Sequence, residues 1–233
     1  MTKKEILDAI HGKMIISCQA VEGEPLYVEE KSIMYLMARA AKQAGTPAIR
    51  TSSIRDVVAI KEETGLPVIG LVKIQYPGYE AYITPTMKEV DDLVAAGSDV
   101  VALDCTLRKR GDGTTINEFI AQIKEKYPDI ILMADISNYE EGINAWKCGV
   151  DIVGTTMSGY TAYTSKKDEP DYELMERLAK DTDIPVIGEG KIHYPDQAVK
   201  ALQTGAWAIV VGGAITRPLE IAQRFQNAIK ESK

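Results

Sequence analysis

The strongest constraint on this chain is a recurrence. A short, nearly all-apolar, β-branched run is followed by an amphipathic helical stretch, eight times in 233 residues. The runs are Met14–Ser17, Pro47–Arg50, Pro67–Lys73, Asp99–Asp104, Ile130–Asp135, Asp151–Thr155, Ile184–Gly188 and Ala206–Val211. Runs this apolar read as strands buried on both faces, as in a parallel sheet covered by its own crossover helices. Gly45, Gly65, Gly97, Gly149 and Gly205 each stand just ahead of a strand, where a left-handed residue ends a helix. Strand starts recur every 20 to 33 residues, the length of one βα unit, and eight such units can close a barrel. An open doubly wound sheet is the alternative. The stretch after the first run, SCQAVEGEP, lacks the glycine pattern that such a sheet uses for dinucleotides. The expectation is therefore an α/β chain folded as a single-domain (β/α)8 TIM barrel over residues 1–233. A short N-terminal helix precedes it, with Ile6, Leu7 and Ile10 on one side.

Charge and cysteine usage narrow the partners. A net charge of -7 argues against nucleic acid and against an anionic membrane surface, since both call for clustered Lys and Arg. No apolar run approaches the ~20 residues of a membrane span, and the N-terminus lacks the apolar stretch of a secretion signal, so a cytoplasmic location is expected. Cys18, Cys105 and Cys148 are an odd count without CxxC spacing, and His11 and His193 are isolated. Reduced thiols and no metal centre are expected.

Barrel chemistry sits where strands end, and there the apolar runs are interrupted by a short set of polar residues. These are Ser17-Cys18-Gln19, Arg50, Lys73, Asp104, Asp135, Thr155-Thr156, Glu189 and Gly212-Gly213. The last two strands lead into GEGK (188 to 191) and GGAITR (212 to 217). Glycine turns at that place cradle phosphate on backbone N–H groups, and Arg217 or Lys191 adds charge. Lys73 and Glu189 close the runs PVIGLVK and PVIGE, so both should project into one pocket mouth as an acid/base pair. Lysine serves as a base only with a lowered pKa, which partial burial near Arg50 would provide; a carboxylate serves as an acid best with a raised one. Two connections, Ile74 to Pro85 and Ser158 to Pro170, are long enough to cover a substrate or simply to be solvated loops. Met87, Met133, Trp146 and Trp207 read as packing residues.

Taken together, IISCQA (15 to 20), AIR (48 to 50), GLVK (70 to 73), TPTMKEVD (84 to 91), VALDCTLRKR (101 to 110), MADIS (133 to 137), GTTMSGYT (154 to 161), EGKI (189 to 192) and VVGGAITRP (210 to 218) resemble the N-acetylmannosamine-6-phosphate 2-epimerases of bacterial sialic acid catabolism. The resemblance spans nearly the whole chain. It implies that Lys73 and Glu189 are catalytic, that Gln19, Arg50 and Asp135 contact the sugar, and that Gly190, Gly212, Gly213 and Arg217 receive the phosphate. It also implies a phosphorylated amino sugar as partner, no cofactor, and a homodimer. Two positions depart from the family pattern: Ile74 stands where relatives often carry a basic residue, and Lys191 where many carry arginine. Lysine lacks arginine's bidentate fork, so one phosphate contact differs.

The implied reaction is inversion at C2, by proton removal next to the C1 aldehyde of the opened sugar and proton return to the other face. It demands no metal or redox group. A lysine at a strand end also suits a Schiff-base lyase or aldolase, and a barrel that binds a phosphosugar without turning it over is the alternative outside catalysis.

Overall fold

The computed structural model describes residues 1–232, so Lys233, the last residue of the expected domain, lies outside the described residues. Eight parallel strands close a barrel in sequence order, with the last paired to the first. They are β1 (Met14–Ser17), β2 (Ile49–Ser52), β3 (Val68–Leu71), β4 (Val100–Asp104), β5 (Ile131–Asp135), β6 (Ile152–Gly154), β7 (Val186–Glu189) and β8 (Ala208–Val211). The barrel expectation holds, and an open sheet does not occur. The five helix-ending glycines all have positive φ, between 64° and 92°.

Strand parity positions everything that follows. Ile15, Ala48, Ile69, Val100, Ala102, Ile131, Met133, Ile152, Ile187, Ala208 and Val210 form the barrel interior. Their neighbours Ile16, Ile49, Val68, Val101, Leu132, Val153 and Val186 face the helices. With a period of two, the inward set continues upward to Ser17, Arg50, Lys73, Asp104, Asp135, Thr156, Glu189 and Gly212.

The strand limits correct several expectations, among them the start of β8, which begins at Ala208 rather than Ala206. β2 does not end at Arg50 but begins at Ile49 and runs to Ser52. Arg50 therefore sits low in the barrel, and it is 1% exposed. β3 ends at Leu71; Lys73 lies beyond it in a single antiparallel bridge to Ile83. β7 starts two residues later than expected and includes Glu189.

Helices alternate with the strands. α1 (Lys3–Ile10) is started by a reciprocal Thr2/Glu5 cap. It lies at the N-terminal end of the barrel, burying Ile6 and Ile10 in the interior cluster. Trp207 Nε1 donates to Leu7 O at 2.9 Å, and the indole stacks on His11. The outer ring is α2 (Met34–Gln43), α3 (Ile54–Thr64), α4 (Met87–Ala95), α5 (Ile116–Lys126), α6 (Tyr139–Lys147), α7 (Tyr172–Asp181) and α8 (Pro195–Gln203). A four-residue α9 (Gly213–Thr216) and a final α10 (Pro218–Glu231) follow β8. None of α10's residues is buried, and Leu219, Phe225 and Ile229 are exposed. Among the described residues no helix is long and apolar enough to cross a membrane.

Candidate active site

A cavity of about 240 Å³ opens at the C-terminal end of the strands. Gln19, Arg50, Lys73, Glu189, Gly190, Gly212, Gly213 and Arg217 all line it. Of the nine residues singled out from sequence, Asp135 alone does not. Its side chain is fully buried behind Arg50, so its expected contact with a ligand is not direct in this arrangement.

The polar centre is a network across β2, β5, β6 and β7. Arg50 donates to both oxygens of Asp135, Nη1 to Oδ1 at 3.1 Å and Nη2 to Oδ2 at 2.6 Å. Such a bidentate pair fixes the guanidinium plane. Nη1 also lies 3.3 Å from Glu189 Oε2 and 3.3 Å from the Met133 sulfur. Gly154 makes room for this: a Cβ there would stand 2.4 Å from Met133 Cε and 3.5 Å from Asp135 Oδ1. Thr156 Oγ1 is 2.7 Å from Asp135 Oδ1 and 3.1 Å from Glu189 Oε2. Thr155 locks the backbone beside it, accepting from Glu189 N at 3.0 Å and donating to Glu189 O at 2.9 Å.

These surroundings set the two titrating groups against their ordinary behaviour. Burial pushes Glu189 up to about 7, with Asp135 adding to the rise and Arg50, Thr156 and Lys73 opposing it. Lys73 stands in the open mouth and reaches water, yet loss of hydration inside the cavity, then the charges of Arg50 and Arg217, lower its pKa. The carboxylate's ion-pair partner is Arg50 rather than Lys73, so the two groups do not merely close the barrel top as a salt bridge. One can hold a proton while the other lacks one, as acid/base work requires.

The long connection after β3 is a hairpin rather than a free loop. Ile74 N donates to Tyr82 O at 3.0 Å, and Thr84 N to Val72 O at 2.7 Å. Thr84, fully buried at φ 47°, donates its hydroxyl to Ala102 O at 2.6 Å. The hairpin brings Tyr82 and Ile83 to the cavity wall beside Lys73. Asp104, a strand-end residue without a clear assignment from sequence, holds this hairpin by accepting from Tyr82 N at 3.2 Å and pairing with Arg108. The connection after β6 contributes Met157 and Tyr160 to the wall. Its Tyr163 hydroxyl donates to the buried Glu141.

The glycine turns after β7 and β8 lie at the cavity, with one cation diverted. β8 turns at Gly212 into α9, and Gly190 has φ 103°. The first N–H groups of a helical turn lack intrahelical acceptors. Arg217 faces the cavity while paired to Glu24 and Glu220, each at 2.9 Å. Lys191 is spent elsewhere: Nζ donates to Ser158 O at 2.6 Å and sits 4.2 Å from the Tyr160 ring centre. Sequence reasoning marked Thr156 as a polar strand end but gave it no role; its inward parity was the available signal.

Residues 34–231 match the family described as "Putative N-acetylmannosamine-6-phosphate epimerase". A protein of Caldanaerobacter subterraneus subsp. tengcongensis, named "Putative N-acetylmannosamine-6-phosphate 2-epimerase", is 53% identical over 98% of this chain and 96% of its own. One of the same name from Clostridioides difficile is 48% identical over 97% and 99%. The solved structure of the N-acetylmannosamine-6-phosphate 2-epimerase from Clostridium perfringens superposes with a TM-score of 0.91 at 48% identity, covering 96% of each chain. Thiamine phosphate pyrophosphorylase from Pyrococcus furiosus, at 20% identity and a TM-score of 0.59, shares the fold alone.

Proposed function

Because the chain belongs to the N-acetylmannosamine-6-phosphate epimerase family, we propose that it inverts C2 of N-acetylmannosamine 6-phosphate to give N-acetylglucosamine 6-phosphate, with Lys73 and Glu189 moving the proton. The carrying observation is the convergence of a lysine of lowered pKa and a carboxyl of raised pKa on one cavity. Once the ring opens, the C1 aldehyde acidifies the C2 proton. Lys73 takes it from one face, an enolate forms, and protonated Glu189 delivers a proton to the other. The enzyme resets when solvent returns a proton to Glu189 and takes one from Lys73.

Arg50, held by Asp135, presents fixed positive charge where the enolate develops. Its buried Nε has no partner among the described residues. Gln19 Nε2 is tied to Ser17 Oγ at 2.9 Å, which leaves its amide oxygen for a sugar hydroxyl. Asp135 acts on the sugar through Arg50. The phosphate takes the backbone around Gly190, Gly212 and Gly213, and draws Arg217 from Glu24 and Glu220. The residues form one catalytic unit in the cytoplasm. A homodimer is supported by the apolar side chains that α10 leaves uncovered, and sedimentation equilibrium would show two subunits.

Proton transfer at an activated carbon needs neither metal nor nicotinamide. NMR of N-acetylmannosamine 6-phosphate in heavy water with a chelator should therefore show the glucosamine epimer carrying deuterium at C2. Strict dependence on an added metal or cofactor, or product without solvent label, would refute the two-residue scheme. Arg217→Ala should raise KM about tenfold or more with a much smaller fall in kcat, because a grip remote from C2 is largely uniform binding. Steady-state kinetics in which KM is unmoved would remove Arg217 from the phosphate site.

A further inference from the structure

Thr156 has one hydroxyl proton and two carboxylate acceptors in reach. Asp135 Oδ1 at 2.7 Å and Glu189 Oε2 at 3.1 Å cannot both receive it. The two acceptors differ in kind. Asp135 is already held by both Nη atoms of Arg50, whereas Glu189 has one Arg50 contact at 3.3 Å and opens on the cavity. Thr156 sits at the inward position above Gly154, where a Cβ would stand 3.2 Å from the Thr156 hydroxyl, so that glycine leaves the hydroxyl room to turn. We propose that Thr156 is a positioning residue for epimerisation, whose hydroxyl turns from Asp135 to Glu189 as Glu189 gives up its proton. This rests on the proton-transfer role given to Glu189 above.

The sequence of events conserves protons. While Glu189 is a neutral acid, the Thr156 O–H points to Asp135, the more negative neighbour. When the Glu189 proton passes to the C2 carbon, a carboxylate is left in a buried place, and the same O–H rotates to it. No proton leaves Thr156. The hydroxyl stabilises the charge that appears on Glu189 and releases it on reprotonation, so it eases both halves of the cycle. The other charged groups facing Glu189 are Arg50 from β2, Lys73 beyond β3 and Asp135 from β5, with the Tyr160 phenol nearby. Among these, Arg50 is held in place by Asp135 and by its own burial.

The test is a carbon-13 NMR titration of protein labelled at glutamate carboxyls, with the Glu189 signal assigned by its loss in Glu189→Gln. In the unsubstituted protein it should titrate at about 7. Thr156→Val keeps the shape and removes the donor, and the midpoint should rise by about one unit, the size of one charge-assisted hydrogen bond. Thr156→Ser should restore it. A Thr156→Val midpoint equal to that of the unsubstituted protein, or a serine variant shifted as far as valine, overturns the proposal. Because the titration needs no turnover, it separates this switch from the epimerase reading. If the midpoint moves as expected yet no epimer forms, the acid role of Glu189 fails and the proposal falls with it.

Discussion

Lys73→Ala should cost between about 10²- and 10⁴-fold in kcat/KM, the range for a general base, while the barrel melts close to its original temperature. Lys73 stands beyond the end of β3, in the solvent-reached mouth, and contributes nothing to the interior cluster, so its removal leaves no cavity. Deuterium entry at C2 should fall in step with turnover. Near-normal exchange in Lys73→Ala, with exchange abolished in Glu189→Gln, would make Glu189 the base and Lys73 an electrostatic helper. The pH profile carries the same information. A neutral lysine with a protonated carboxyl holds the same number of protons as their ion pair. Activity should therefore fall below about pH 7, where the pair gains a further proton, and again above the lowered pKa of Lys73, where it loses one.

Arg50→Ala should be the most damaging change to stability, at about 3–5 kcal/mol, because it strands buried carboxylates without their counter-charge. Glu189, raised to about 7 by burial, would then lose its opposing charge and bind more protons folded than unfolded, with effects on stability that depend on pH. Their sign follows from linkage. The variant should be least unstable at acid pH, below the ordinary carboxylate range, and should lose ground as pH rises through the raised value. Urea denaturation at several pH values measures this directly. Arg50→Met combined with Asp135→Leu should recover part of the loss, since the pair is removed together. If Arg50→Ala costs no more than a typical surface change, the network does not carry the charge balance ascribed to it.

Much of the barrel was legible because the pattern is local. A buried parallel strand must be apolar on both faces, and a helix must stop before the next strand begins, so β1, β4 and β5 fall within one residue of their expected limits. The inward position of Lys73, Glu189 and Arg50 follows from the same period of two. What could not be read is whatever depends on distance across the barrel. The bidentate grip of Arg50 on Asp135 joins β2 to β5, and nothing in either run announces the other. Lys191 carries the right charge in the right motif, but its backbone is at φ 59° and its side chain turns to Ser158. The hairpin after β3 was also hidden, because its turn lies between two apolar stretches that read as one long connection. α10 has helical periodicity without a buried face, and periodicity alone does not say what a face will meet.

Gly154 is where steric and electrostatic control of this site become the same thing. It is buried among Met133, Asp135 and Thr156, and the first two touch the Arg50 guanidinium. A single methyl there would press on the Met133 terminus and on the Thr156 hydroxyl, and a guanidinium following the Met133 sulfur would tilt. The tilt would lengthen or shorten the reach of Arg50 to Glu189, and with it the acidity of that carboxyl. A barrel of this design can thus be retuned from inside its wall, by volume rather than by charge. Drift in proton affinity among related chains should therefore trace to the size of the residue at this one inward position of β6 as readily as to the acid and base themselves.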